Sequence, residues 1–320
     1  MPRFLAKMFL VGMMIFTSGA VSGQAYPERP IRLVTGGTGG SNDIVARLVA
    51  QGLAQSWTQG AIVDNRPSGV IPGEIVAKAK PDGYTLLVTG SSFWISVLLQ
   101  DTTPYDPVKD FSPITLPVST PNIVAVHPSL PVQSVNALIA LAKARPGDLN
   151  YGTTGIGSSA HLGGELFKAL ARVNIVRVNY RSVGAAMNDL IAGQVQMTFG
   201  TAGSVTPHVK SGRLRALAVT STQPSALFPG LPTVAASGLP EYELIQIFGI
   251  FGPANTPKPI VNRLNEEIVR VLNRTDVKEK IFNGGIGEVV GSSPEQLAAK
   301  VTSEMAKWGK LIEDAGIRVK

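Results

Sequence analysis

Two stretches of this 320-residue sequence join glycines to small hydroxyl residues at what reads as the start of a helix. The first is Gly36-Gly37-Thr38-Gly39-Gly40-Ser41-Asn42-Asp43, and the second is Gly152-Thr153-Thr154-Gly155-Ile156-Gly157-Ser158-Ser159-Ala160-His161. Glycine admits positive φ and leaves backbone amides bare. Ser41, Asn42 or Asp43 in the first stretch, and Ser158 or Ser159 in the second, are residue types that cap helices. The first four N–H groups of a helix lack intrahelical partners and lie at the positive end of its macrodipole, so each stretch offers a place for an anion. The chemistry expected is capture of one small carboxylate between two facing loops.

Other chemistries fit the same residues less well. Ser158, Ser159 and His161, with Asp43 or Asp189, supply the types of a hydrolytic triad, but a Ser and a His two or three residues apart at a helix start do not readily face each other. No G-x-S-x-G elbow accompanies them. A dinucleotide fingerprint beginning at Gly37 and Gly39 fails because residue 42 is Asn, and no Walker lysine follows either loop. The histidines, His127, His161 and His208, are far apart in sequence, and no metal site is expected from them. His161 reads equally as a polar cleft residue or a satisfied core histidine. Asp43 either complements the helix dipole or contacts a ligand, directly through an ammonium or by way of water.

The elements that must position these loops alternate short β-branched runs with amphipathic helices, the pattern of an α/β architecture with a largely parallel sheet. Ile31–Val34 leads into the first loop, and Ile44, Val45, Leu48, Val49 and Leu53 follow at helical spacing. Strands are expected at 61–64, 84–89, 123–126, 175–178, 195–199 and 214–219, and a strand pair or one bent strand at 245–252. Gly90-Ser91-Ser92 and Gly200-Thr201-Ala202-Gly203-Ser204 end two of these strands in small polar residues. Between Thr102 and Pro121 five prolines crowd into what reads as a connection. Helices are expected at 257–273 and from Pro294 onward, the latter with Leu297, Val301, Met305, Trp308 and Ile312 turned to the core. The crossing from a first lobe to a second is expected near Pro121 to Val126, and the return near Val219 to Ser225.

Composition bounds what the chain can be. Arg3 and Lys7 precede the apolar run Phe9–Phe16, which has the form of a secretory signal, with cleavage suited before Tyr26. No stretch is long enough to span a bilayer. The formal net charge is +7, two of it from Arg3 and Lys7, and the remaining Lys and Arg alternate with acids without a basic run suited to a phosphate backbone. Nucleic acid is therefore not an expected partner. There are no cysteines, which excludes disulfides and thiolate chemistry.

Across nearly the whole length after residue 25, the sequence resembles the Bug-type solute receptors of tripartite tricarboxylate transporters. The blocks that carry the resemblance include Tyr26-Pro27-Glu28-Arg29-Pro30-Ile31-Arg32-Leu33-Val34, Gly39–Arg47, Asn65-Arg66-Pro67, Pro81–Leu86 and Tyr105–Phe111. Leu149-Asn150-Tyr151-Gly152, Gly157–Phe167, Gly193–Met197, Leu214–Val219 and Lys307-Trp308-Gly309-Lys310 continue it. The resemblance implies a two-lobed periplasmic binding protein fold of type II-like form, two α/β domains with a ligand cleft between them and two crossover strands. The implied division is a signal peptide over 1–25, lobe one from 26–122 and 222–320, and lobe two over 123–221.

It also implies a periplasmic receptor that delivers a small organic acid to membrane permease subunits and works as a monomer without a cofactor. The acid would be a di- or tricarboxylate, an amino acid or an aromatic acid; a sensor component for a two-component system, or a serine hydrolase, is the alternative. Ligand contact falls on Thr38, Gly40, Ser41, Asn42, Asp43 and Ser91 from lobe one. From lobe two it falls on Thr153, Thr154, Gly157, Ser158, Ser159, His161, Ser182, Ala185 and Thr201. The chain departs from the usual pattern at Gly36-Gly37-Thr38, where an aromatic and prolines are common, and at Ser68–Gly73, a shorter and more apolar loop. At Gly200 many members carry an acid.

Overall fold

The computed structural model describes residues 26–67, 69–100 and 102–314; the signal segment expected over residues 1–25 lies outside them. The strands are β1 (Ile31–Thr35), β2 (Ala61–Asn65), β3 (Thr85–Gly90), β4 (Phe111–Thr115), β5 (Val118–Val126), β6 (Asn150–Thr153), β7 (Val176–Asn179), β8 (Met197–Thr201), β9 (Arg215–Val219), β10 (Ile245–Pro253) and β11 (Glu288–Val289). The helices are α1 (Ser41–Ser56), α2 (Ile71–Ala77), α3 (Ser92–Ile95), α4 (Val135–Ala144), α5 (Ser159–Ala171), α6 (Val183–Ile191), α7 (Ala202–Lys210), α8 (Lys258–Leu272), α9 (Thr275–Asn283) and α10 (Pro294–Asp314).

Two α/β lobes share one curled sheet of strand order β2-β1-β3-β10-β5-β8-β6-β7. In the first lobe β1 lies parallel between β2 and β3, with Leu33 opposite Val63 and Leu86. Its Ile31, Leu33 and Val34 are buried, as expected of a parallel strand covered on both faces. Val45, Val49 and Leu53 of α1 meet Leu264, Ile268 and Val271 of α8 in one apolar cluster. Each such buried side chain contributes roughly 1.5–3 kcal/mol relative to exposure. In the second lobe β6 is parallel to β7 and β8, and β8 and β9 flank the outer half of β5.

β5 and β10 join the lobes. Ser119–Pro121 pairs with Ile245–Ile247, after which β5 continues into the second lobe and β10 into the first, against β3 and β4. Between β9 and β10 the chain stays on the second lobe, where Tyr242 Oη donates to the Gly163 carbonyl at 2.9 Å. The proline-rich segment read as a connection contains β4 and the start of β5. Pro113 is accommodated where the β4–β10 register shifts, between Ile250 and Phe251, since a proline without an N–H fits a sheet at such irregularities. The C-terminal α10 buries Leu297, Val301 and Trp308 in the core that also holds Phe251 and Trp94.

Candidate functional site

The loop between β1 and α1 is held from behind by Asp43. Its carboxylate accepts from Asn65 Nδ2 at 2.8 Å and the Gly39 amide at 3.3 Å, and it pairs with Arg47 at 2.9 Å. Asn65 also donates to the Gly36 carbonyl at 2.9 Å. Asp43 is only 5% exposed and faces the loop's interior, so its charge is spent on the loop itself. The helix it supports begins after Gly40 with no side chain accepting from its first-turn amides, and those amides open toward the cleft.

The loop between β6 and α5 is built the same way with different residues. Thr153 and Ser158 hydroxyls are 2.7 Å apart, Ser158 Oγ accepts from the His161 amide at 3.2 Å, and the Gly157 amide donates to His161 Nδ1 at 3.1 Å. His161 therefore props the loop from below. Burial, followed by the positive charges of Arg177 and Lys168 against the opposing Glu165, pushes its imidazole down to about 4. Between pH 6.5 and about 4 the unfolded chain takes up a proton that the folded chain refuses, so stability falls as pH falls through that window. The slope attributable to His161 is at most about 1.4 kcal/mol per pH unit. In urea unfolding, His161→Gln, which can still accept from Gly157, is expected to flatten the dependence between pH 6.5 and 4.5; an unaltered slope would mean that another group carries it.

The lobes meet across these loops. Ser41 Oγ and Thr201 Oγ1 are 2.7 Å apart, joining the start of α1 to the end of β8. Gly157, with φ +74°, packs so closely on Ser96 that an added Cβ would lie 2.5 Å from the Ser96 Cβ. Between the lobes is a cavity of about 100 Å³, and none of its lining residues is charged. A smaller chamber of about 40 Å³ continues from it into the second lobe, sharing Thr154, Ser158, Ser159, Val183 and Thr201. Four helices, α1, α5, α6 and α7, start at these walls, and α7, like α1, has no side chain capping its first turn.

Of the residues expected to contact a ligand, Gly40, Ser41, Asn42, Thr154, Ser158, Ser159 and Thr201 line the main cavity, and Thr153 lines the chamber. Thr38, Asp43, Ser91, Gly157, His161, Ser182 and Ala185 stand outside both linings. Ser91 Oγ instead accepts from the Ile247 amide at 3.1 Å, and Ser182 Oγ caps α6 by accepting from the Ala185 amide at 3.2 Å. Beside them the cavity is lined by Ser92 and Ser96 at the short α3, by Pro72 of α2, by Thr89, and by Gln246 of β10. Gln246 reaches the site through strand pairing, for which no local sequence signal exists. Ser92 follows Ser91 in a loop already marked by its residue types.

The hydrolytic arrangement does not assemble. Asp43 is committed to Asn65 and Arg47, Asp189 accepts from Tyr180 Oη at 2.8 Å, and His161 Nδ1 accepts from a backbone amide. Among the described residues no group of three or more His, Cys, Asp or Glu could hold a metal ion, and no helix is long and apolar enough to cross a membrane.

Comparison with known proteins agrees with this geometry. The model of the tripartite tricarboxylate transporter family receptor matches residues 45–317. BugT of Bordetella pertussis is 34% identical over 100% of this chain and 99% of its own. Among solved structures, Rpa4515 of R. palustris with adipate is 36% identical, with TM-score 0.88 over 91% of this chain and 98% of that one. The periplasmic binding protein BugD is 30% identical, with TM-score 0.88 over 92% of this chain and 100% of its own. The fold is thus the two-lobed periplasmic binding protein fold that the sequence implies.

Proposed function

This chain belongs to the tripartite tricarboxylate transporter receptor family, and from that premise we propose that it captures a small organic carboxylate between its lobes in the periplasm and presents it to permease subunits in the membrane. The observation that carries the reading is the convergence of helix starts from both lobes on one cavity without a charged lining residue. Bare amides and hydroxyls there receive a carboxylate that no counter-ion neutralises, and a neutral analogue leaves those donors unpaired. Adipate in the related Rpa4515 structure is such an acid.

Closure is a population shift. A ligand held by amides of α1 on one side and of α5 and α7 on the other gains contacts only in the closed form, and favours that form by the difference. The hinge lies in the paired segments Ser119–Pro121 and Ile245–Ile247. We assign 26–122 and the chain from β10 onward to lobe one, 123–221 to lobe two, and the intervening segment to lobe two by the Tyr242 contact. The protein acts as a monomeric binding protein rather than an enzyme, needs no cofactor, and is exported by its first 25 residues.

Thermal unfolding of the purified protein against a panel of carboxylates and their amides tests the reading. An acid present at a hundredfold its Kd adds about 2.7 kcal/mol of stability. Stabilisation by at least one acid and none by its amide is expected, and no shift with any acid would contradict it. Ser159→Leu places a branched side chain at the mouth of the α5 amides and is expected to remove the shift while leaving the unliganded melting temperature within a few degrees. A full shift in that variant would remove the second loop from the site.

A further inference from the structure

Gln246 is the polar residue in the otherwise apolar run 245–250, and it stands where β10 pairs with β5 between the lobes. Alternation along the strand turns Ile245 and Ile247 toward Trp308 of α10 and Gln246 toward the ligand cavity. The Gln246 side chain is folded over Gly90 of β3. A Cβ on residue 90 would lie 1.9 Å from Gln246 Nε2 and 3.1 Å from Asn42 Oδ1, so the amide occupies that place only because residue 90 is glycine. Gln246 is 4% exposed. Its Nε2 donates to the Ile247 carbonyl at 3.2 Å, which fixes the sense of the amide and leaves Oε1 with no hydrogen-bond partner among the described residues. A buried amide oxygen is an acceptor that calls for a donor, and this one belongs to a residue of the cavity wall.

Three ligand groups differ in what they offer Oε1. An ionised carboxylate accepts only and has no proton to give it. An ammonium donates, but it would be buried where no charged residue lines the cavity and where four helix starts present the positive ends of their dipoles. A hydroxyl donates to Oε1 and accepts in return. Thr89 and Ser92, close to Gly90 in the chain, bring to the same lining two hydroxyls that likewise have no partner among the described residues. Asn42, in the first turn of α1, approaches the same point above Gly90, so a carboxylate held at the start of α1 places its nearest carbons beside Gln246. Resting on the carboxylate-receptor reading above, we propose that the ligand is a 2- or 3-hydroxy acid whose hydroxyl donates to Gln246 Oε1. Gln246 is then a specificity-determining residue, and Gly90 is the position that gives its amide room. A second carboxylate elsewhere in the cavity is compatible with this arrangement.

Calorimetric titration with matched acids tests the proposal: propionate against lactate, butyrate against 3-hydroxybutyrate, and succinate against malate, with alanine and aspartate as the amino counterparts. In the wild type at least one hydroxy acid should bind tighter than its deoxy partner by roughly tenfold or more, because the deoxy acid leaves the buried Oε1 unpaired. Gln246→Met removes the acceptor at similar side-chain length, and Gly90→Ala puts a methyl where the amide lies, so a folding defect in one leaves the other to report. In both variants the ratio within each matched pair should fall toward one. Deoxy acids binding as tightly as every hydroxy acid, an amino acid binding tighter than its hydroxy counterpart, or a ratio unaltered in both variants would overturn the assignment of Gln246 while leaving the receptor reading standing. Failure of every acid to bind would overturn both.

Discussion

Gly157→Ala is expected to raise the Kd for the bound acid by ten- to a hundredfold while leaving the protein folded. The added methyl would sit 2.5 Å from the Ser96 Cβ and 2.7 Å from its Cα, and Ser96 belongs to the opposite lobe. Such a contact exists only when the lobes are together. It therefore acts on closure, and a penalty of about 1.4–2.8 kcal/mol on the closed form alone reads as that change in Kd. The positive φ of residue 157 adds about 1 kcal/mol of strain in the open form as well, which appears as a modest fall in the unliganded melting temperature. Ser96→Gly in the same background removes one side of the clash and should recover part of the affinity. Calorimetry on the two single variants and the double variant measures this coupling, and additive effects would show that the two residues do not meet in the bound form.

Phe251→Ala is expected to cost roughly 3–5 kcal/mol of unfolding free energy, the range for emptying a buried aromatic site. Phe251 is 2% exposed and lies 5.4 Å from Phe93, 6.2 Å from Trp94 and 6.3 Å from Phe111, measured between ring centroids. Phe93 and Trp94 belong to α3, whose first residue Ser92 and C-cap Ser96 line the cavity. The cluster thus holds a wall of the site against β10, so weaker ligand binding should accompany the lost stability. Urea unfolding should give a lower midpoint with the slope unchanged; a loss below about 1 kcal/mol would mean that the cluster collapses to fill the space.

The two principal loops were legible because their signals are local. Glycines beside Ser41 and Ser158 mark a strand-to-helix turn in any context, and Ser158 does cap α5 through the His161 amide. The same local reasoning leaves Asp43 and His161 open between a ligand contact and a structural role; in the structure both face inward and hold the loops that form the wall. Residue type told which positions were special but not on which side of the loop each side chain would lie. α7 went unseen because Gly203, Thr206 and Pro207 are poor helix formers, yet its start forms part of the site. Gln246 was out of reach for another reason. It stands in an apolar strand, and only the pairing of β10 with β5 and β3 brings it to the cavity.

The proline-rich segment shows where composition misleads. Pro113 and Pro121 suggested a connection, but β4 is paired through β10 alone, and Pro121 falls where β5 passes from β10 to β8. Prolines without ladder donors are tolerated at such places. Pro121 stands in the stretch of β5 that pairs with β10 where the lobes join.

Small-angle X-ray scattering of the protein with and without a stabilising carboxylate, and with the corresponding amide, bears most directly on the claim that one anion draws two sets of helix starts together. The account predicts a smaller radius of gyration with the acid and no change with the amide, and predicts that Gly157→Ala loses the compaction. Tight binding of the acid with no change in the radius of gyration, or equal compaction by the amide, would contradict it.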